Sequence, residues 1–318
     1  GVYVSSAFVR LEVFASISVV ILSSIGLAIL TSEIFRTSKP SNKKIFSSSR
    51  TITKISFVVI IVILFILPTS LPANGNWINS AKAPPTILNG GTSFAITTND
   101  WLEALEWIKN NTPEDAVVAS WWDYGYWIST MGERKSLADN STIHSNIIQN
   151  IAKMFLSEPD QAWKMLQEMD ADYVLIFISS QKIQTEPEDL FILMGGGDES
   201  KKQWFMRIAE EPLSKYLLDD GISGTEHFWE NTILGKMIPY SLLGYAEPNT
   251  NKVLTNYTPG SLGIYVKDIK YPEDGNGPLR LVYSSTSFED ENIGPILGIF
   301  IYEINKDYNP DLITVKQN

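Results

Sequence analysis

Residues 171–179 read ADYVLIFIS: after Asp172, an unbroken apolar run of six residues that ends in serine. A run of this length, bounded by polar residues and rich in β-branched and aromatic side chains, predicts a strand buried on both faces over Asp172–Ser179. Working back along the chain, Ala116–Ser120 predicts a second, shorter strand, and helical patterns over Ile147–Leu156 and Asp160–Met169 lie between the two. Strand, helices, strand is the signature of a parallel α/β layer, here spanning 99–180. Asp100-Trp101-Leu102-Glu103 opens a helix, with Asp100 as an Asx cap, Glu three positions later and apolar residues at 101, 104, 105 and 108; it stops near Asn111, ahead of Pro113. Beyond residue 250, Gly263–Ile269, Leu279–Ser284 and Ile296–Ile304 are strand-like and separated by Gly, Pro, Asn and Asp, which predicts a β-rich terminal subdomain.

The N-terminal part is of another kind. Phe8–Leu30 and Ile55–Leu71 are apolar runs, and a helix needs roughly 20 residues to cross a bilayer core. Between them stand Arg36, Lys39, Lys43, Lys44, Arg50 and Lys54 with no acid after Glu33, and short loops rich in Lys and Arg stay on the cytoplasmic side. The expected organisation is a multi-pass integral membrane protein. Residues 1–72 form a membrane region with transmembrane helices at about 4–31 and 55–71 and a cytoplasmic loop. Residues 73–98 are an extended connector, 99–250 an α/β domain and 251–318 the β-rich subdomain, all extracytoplasmic. Charge follows this division: residues 1–72 carry seven basic and two acidic side chains, the rest 18 and 34. The formal charge of −11 argues against nucleic acid as a partner, and zero cysteines exclude disulfides, thiolate zinc sites and cysteine catalysis. His144 and His227 are expected to be structural or surface residues. Gly195-Gly196-Gly197 lacks the Lys-Ser/Thr ending of a phosphate loop. The start at Gly1 suggests a fragment, or a chain whose earlier part was removed.

Directly after the first strand comes Trp121-Trp122-Asp123-Tyr124-Gly125-Tyr126-Trp127. Aromatic clusters are usually core packing, yet a strand end in an α/β sheet is where such folds place ligands. An indole N–H only donates and a carboxylate only accepts. Together they suit a ligand group that does both, as a hydroxyl does.

Trp-Trp-Asp-Tyr-Gly resembles the signature of the catalytic subunit of oligosaccharyltransferase, the enzyme of protein N-glycosylation, in its archaeal and eukaryotic branch. NNTPEDAVVASWWDYGYWI (110–128), LADNST (137–142) and ADYVLIF (171–177) resemble that branch too. Asp198 and Lys201 fit the family's Asp-x-x-Lys-x-x-x-Met motif, with Phe205 where Met is usual, and Phe8-Val9-Arg10-Leu11 resembles the helix whose arginine binds the donor pyrophosphate. The resemblance implies transfer of a glycan from a polyprenyl (dolichyl-type) phosphate or diphosphate to Asn in Asn-x-Ser/Thr. It implies that Trp121, Trp122 and Asp123 grip the Ser/Thr hydroxyl, that Asp198 and Lys201 line the same acceptor-peptide pocket, and that Arg10 and Tyr126 lie on the donor side. Implied partners are a lipid-linked oligosaccharide, an acceptor polypeptide and the bilayer of a cell membrane or endoplasmic reticulum. The implied cofactor is a divalent metal, Mn or Mg, with ligands in an N-terminal multi-helix region outside these 318 residues; neither catalytic nor metal residues are expected in this chain, and it is expected to be inactive alone. A non-catalytic, membrane-anchored peptide- or glycan-binding module is the alternative. Asn110, Asn140 and Asn256 head three copies of the acceptor pattern; Asn140 lies in the family-like segment and is open to a structural role.

Overall fold

The structure, a computed structural model, describes residues 12–36, 44–73, 76–82, 85–247 and 253–310. The chain divides into two compact units, Gly1–Ala83 and Pro84–Asn318.

In the first unit, Glu12–Phe35 and Lys44–Ser70 are helices. Each contains a window long and apolar enough to cross a membrane, Ala15–Phe35 and Thr51–Ser70, with mean hydropathies of 2.0 and 2.5 and none of either window buried in protein. Val20, Leu22, Leu64 and Ile66 are among the exposed apolar side chains of these helices. The second helix begins at Lys44 rather than near Ile55. Adding a residue to an existing helix is cheap, so the Lys- and Ser-containing turns extend the apolar segment instead of forming loop. Arg10, Lys39 and Lys43 lie outside the described residues. The connector is not wholly extended: Trp77–Ala81 is a short helix, capped by Asn76, whose Oδ1 accepts from the Asn79 N–H at 2.8 Å.

The second unit is built on one nine-stranded mixed sheet. Its axis is β3, Tyr173–Gln184, whose first eight residues are all buried. On one side β3 pairs in parallel with β1, Val117–Ala119, which pairs in parallel with β2, Lys135–Ser136. This is the parallel layer the sequence predicts. Helices Ser145–Leu156 and Pro159–Glu168 make the crossover, and both turn apolar side chains such as Ile151, Phe155 and Leu166 into the core. Further along the same edge β3 meets β4, Leu190–Leu193, antiparallel, and the sheet continues through β7 (Leu262–Lys267) and β5 (Tyr240–Ala246) to β6 (Val253–Leu254).

The other edge of β3 carries β9, Gly294–Ile304, antiparallel from Tyr173↔Glu303 to Lys182↔Gly294, and β8, Leu279–Ser284, lies beyond it. The C-terminal strands therefore complete the main sheet rather than forming a subdomain of their own, and the compact unit runs without a break at residue 250. Both faces of β9 are apolar, so its favourable place is beside β3, where both are covered. The helix at Asp100–Asn111 has Asn99 as its N-cap with no side-chain hydrogen bond. Asp100 is not the Asx cap; its carboxylate instead accepts from the Ser287 N–H at 3.2 Å, because burial against the last helical turn, Thr286–Glu289, gives it a stronger claim there.

Strand pairing leaves one gap. β1 ends opposite Val174 and β4 begins opposite Ser180, so the β3 edge between them has no strand neighbour. The turn at Gly197 fills it. A Cβ on Gly197 would lie 2.7 Å from the Phe177 carbonyl oxygen and 2.8 Å from the Ile178 Cα, backbone atoms that cannot step aside. Gly197→Ala should therefore destabilise the full chain by about 1–3 kcal/mol, as overpacking does. Thermal unfolding in detergent reads this as a fall of roughly 2–4 °C per kcal/mol. An unchanged midpoint would mean that the turn does not pack against β3.

Candidate functional site

The gap is where the site forms. Phe177 has a backbone N–H facing it, and a buried donor needs an acceptor. Asp198, the first residue of a 3-10 turn at Asp198–Lys201, supplies one: its Oδ2 accepts from the Phe177 N–H at 2.9 Å. Its Oδ1 accepts from the Tyr124 hydroxyl at 2.8 Å, and the side chain is fully buried. Tyr124 reaches it because the chain leaving β1 turns at once into a 3-10 helix, Trp122–Tyr124, and then into the helix Gly125–Thr130. Gly125 permits this close turn. Any Cβ there would sit 2.2 Å from the Ala138 carbonyl oxygen.

Lys201, one helical turn after Asp198, closes the arrangement. Its ammonium donates to the Tyr124 hydroxyl at 2.7 Å, lies 3.4 Å from Asp198 Oδ1 and 4.5 Å from the centre of the Tyr124 ring, and pairs with Asp123 Oδ2 at 3.0 Å. Asp123 is the solvent-facing partner, with its side chain 32% exposed against 17% for Lys201. Beyond this ion pair the Asp123 carboxylate makes no hydrogen bond among the described residues. Nor does the Trp121 indole N–H. Trp121 is buried and stands edge-on to Phe205 at 4.6 Å, and Phe205 in turn packs on Phe155 at 5.3 Å. Phe205 is thus the wall behind Trp121. Trp122, half-buried, lies 6.0 Å from Trp121.

The structure brings together five of the residues singled out in the sequence: Trp121, Trp122, Asp123, Asp198 and Lys201. Tyr126 lies on the following helix with 47% of its surface exposed, and Arg10 is outside the described residues. Two further residues contribute, Tyr124, which was not singled out, and Asn140, which the sequence left open to a structural role. Tyr124 bridges Asp198 and Lys201, and the only sequence signal for it was its place inside the motif. Asn140 clamps the motif loop: its Nδ2 donates to the Asp123 carbonyl at 3.1 Å, and its Oδ1 accepts from the Tyr126 N–H at 3.4 Å. His144 is exposed just before the helix Ser145–Leu156, and His227 packs beside Tyr216.

Burial decides the charges. Desolvation raises the Asp198 carboxyl above the ordinary carboxylate value against the opposing pull of Lys201 and of the Phe177 and Tyr124 hydrogen bonds. Desolvation, then the Asp198 charge, pushes the Tyr124 phenol well above its usual value, so it stays a neutral donor. The two carboxylates share one lysine instead of flanking an open gap, which is not the layout of a glycosidase pair. At the rim Asp123 is an anionic acceptor fixed by the Lys201 ammonium, and the Trp121 indole two residues earlier is a donor. Among the described residues no group of three or more His, Asp and Glu is arranged to hold a metal ion. The residues here do not fit the implied metal, and no chemical step is drawn through it.

The family model described as the STT3/PglB/AglB core domain matches residues 113–210, a stretch that contains Trp121–Gly125, Asp198 and Lys201. The dolichyl-diphosphooligosaccharide–protein glycosyltransferase subunit stt3 of Schizosaccharomyces pombe is 31% identical over 176 residues, which are 55% of this chain and 22% of that protein. The corresponding stt-3 subunit of Caenorhabditis elegans is 32% identical over 157 residues, 49% of this chain and 19% of that one. The matched part amounts to about a fifth of the length of these relatives. The C-terminal globular domain of an oligosaccharyltransferase from Archaeoglobus fulgidus aligns at 21% identity over 66% of this chain and 99% of that one, with a TM-score of 0.36.

The raised Asp198 carboxyl has a measurable sign. The folded chain takes up a proton at a pH where the unfolded chain has already lost it. Stability from Asp198 is therefore full below the ordinary aspartate value near 3.8 and is lost as pH rises through the raised folded value. Asp198→Asn copies the protonated form. Its melting temperature relative to wild type should rise from pH 4 to pH 7, and a relative fall over that range would show that Lys201 outweighs desolvation.

Proposed function

We propose that this chain is the acceptor-recognition part of a membrane oligosaccharyltransferase. In this reading the assembled enzyme transfers a glycan from a polyprenyl (dolichyl-type) phosphate or diphosphate to Asn in Asn-x-Ser/Thr. The observation that supports the reading is the Asp123–Lys201 pair at the rim of a buried cluster, two residues after Trp121, whose indole N–H makes no hydrogen bond among the described residues. The Ser/Thr hydroxyl two residues after the acceptor Asn donates to Asp123 and accepts from an indole. A site built this way rejects peptides without the hydroxyl, because its own polar groups are then left unpaired. Lys201 holds Asp123 in place, and Asp198 with Tyr124 holds Lys201. This chain's residues bind and orient the peptide. On the same reading Arg10 and Tyr126 serve the donor, and a divalent metal, Mn or Mg, is held by acidic residues of a multi-helix region that such enzymes carry.

The reading also assigns sides of the membrane. The basic turns around Lys44–Lys54 are cytoplasmic and the sheet domain is extracytoplasmic. The chain has no cysteine of its own, so single cysteines report cleanly. A cysteine at Ser47 should be shielded from a membrane-impermeant thiol reagent in intact cells, and one at Asn276 should be labelled. The reverse pattern would overturn the orientation and the function with it.

Hydroxyl recognition has a sharper test. In the full-length enzyme, Asp123→Asn should lower transfer to an Asn-x-Thr peptide by the value of a charge-assisted hydrogen bond, about 1.5–3 kcal/mol, or roughly ten- to hundredfold. Transfer to the matching Asn-x-Ala peptide should fall much less, since that peptide never made the contact. The four rates form a double-mutant cycle. A coupling energy near zero would reduce Asp123 to a brace for the loop.

A further inference from the structure

Three stretches of the chain carry the pattern that such an enzyme modifies: Asn110-Asn111-Thr112, Asn140-Ser141-Thr142 and Asn256-Tyr257-Thr258. Modification of a folded chain needs an asparagine amide and a hydroxyl two residues on, both free to leave the surface together. The fold withdraws those groups from the first two stretches.

Thr112 is 8% exposed, and its hydroxyl donates to the Ile108 carbonyl at 2.6 Å while accepting from Arg134 Nε at 2.8 Å. Presenting Asn110 would unwind the end of the helix Asp100–Asn111. It would also strip the buried Arg134 of its bonds to the Thr112 and Lys109 carbonyls. At Asn140 the nitrogen that would receive the glycan is already donating to the Asp123 carbonyl, and the Thr142 hydroxyl donates to the Ser141 carbonyl.

Asn256 is exposed in the connection between β6 and β7. Neither its side chain nor the Thr258 hydroxyl makes a hydrogen bond among the described residues. Ser261 holds this turn: the Thr258 N–H donates to Ser261 Oγ at 3.2 Å, and the Thr258 carbonyl accepts from the Ser261 N–H at 2.9 Å and from its hydroxyl at 2.7 Å. Pro259 biases Thr258 away from the helical region toward extended backbone. Beside it opens a cavity of about 500 Å³ lined by Asn256 itself, Tyr257, Tyr245, Trp229, Glu226 and Lys270. Aromatic and polar side chains of this kind offer a sugar ring both a face and hydrogen-bond partners.

We propose that Asn256 is an N-glycan acceptor on this chain, and that of the three stretches it alone is presented by the folded protein. The proposal rests on the extracytoplasmic placement and the transferase reading above. In the transfer, Asn256 Nδ2 bonds to the anomeric carbon of the first sugar and gives up one proton to solvent. The bond from that carbon to the phosphate oxygen of the lipid-linked oligosaccharide breaks, and the lipid phosphate leaves with the electron pair.

The test is glycopeptide mass spectrometry on the full-length protein purified from its own membranes, with a set of secreted Asn-x-Thr proteins from the same cells as reference. The expected result is glycan on the Asn256 peptide, none on the Asn110 and Asn140 peptides, and loss of the signal in both Asn256→Gln and Thr258→Ala. Asn256→Gln should keep wild-type transfer to an added Asn-x-Thr peptide, which shows that the variant folds. A bare Asn256 beside glycosylated reference proteins would overturn the site and leave the transferase reading standing. Glycan on Asn110 or Asn140 would overturn the claim of sole presentation. If the reference proteins keep their glycans after the gene is deleted, the transferase reading fails, whatever Asn256 carries.

Discussion

A single buried carboxylate holds the functional half of this molecule together. Asp198 ties an orphaned backbone donor of the central strand, the phenol of the aromatic motif and the lysine that faces the rim. Breaking a buried charge of this kind by removing one partner costs about 3–5 kcal/mol, since the others are left without compensation. The gap between β1 and β4 is what makes room for it, and a continuous sheet would have no need of it. The binding loop and the sheet are thus one construction: the sheet leaves a donor exposed, and the residue that satisfies the donor also fixes the loop.

The cluster is graded from inside to outside. Asp198 is fully buried, Lys201 mostly so, and Asp123 reaches solvent. Solvent screens the outer ion pair more than the inner one, so the outer pair contributes less to stability and yields more easily to an incoming group. The exposed member is the one open to solvent, and the buried one is held from three sides. Trp121, backed by Phe205, gives the motif loop a buried aromatic wall.

Much of this was legible in the sequence where the signal is local. The apolar run after Asp172 marks β3, the short run at Ala116–Ser120 marks β1, and the 3.6-residue periodicity marks both crossover helices to within two residues. What was not legible is long-range. β9 joins β3 across more than a hundred residues, and nothing in Ile296–Ile304 distinguishes a strand of a separate layer from the missing neighbour of β3. β4 and β5 went unread because they are short or interrupted by polar residues and glycine. In the site, Trp121, Trp122, Asp123, Asp198 and Lys201 were found through motif resemblance, but the contact of Tyr124 with Asp198, 74 positions apart, follows from sheet pairing that composition does not encode. Asn140 was visible as an acceptor pattern, and its role as a clamp needed the loop's own carbonyl to be placed.

That clamp makes one side-chain amide a joint of the motif loop. In the folded chain Asn140 donates to the Asp123 carbonyl and accepts from the Tyr126 N–H, so a bulky group on its nitrogen would leave one N–H for the contact and stand where residues 137–142 close on the helix Gly125–Thr130. A change at this one amide therefore reaches the aromatic motif directly, through the Asp123 carbonyl that it holds.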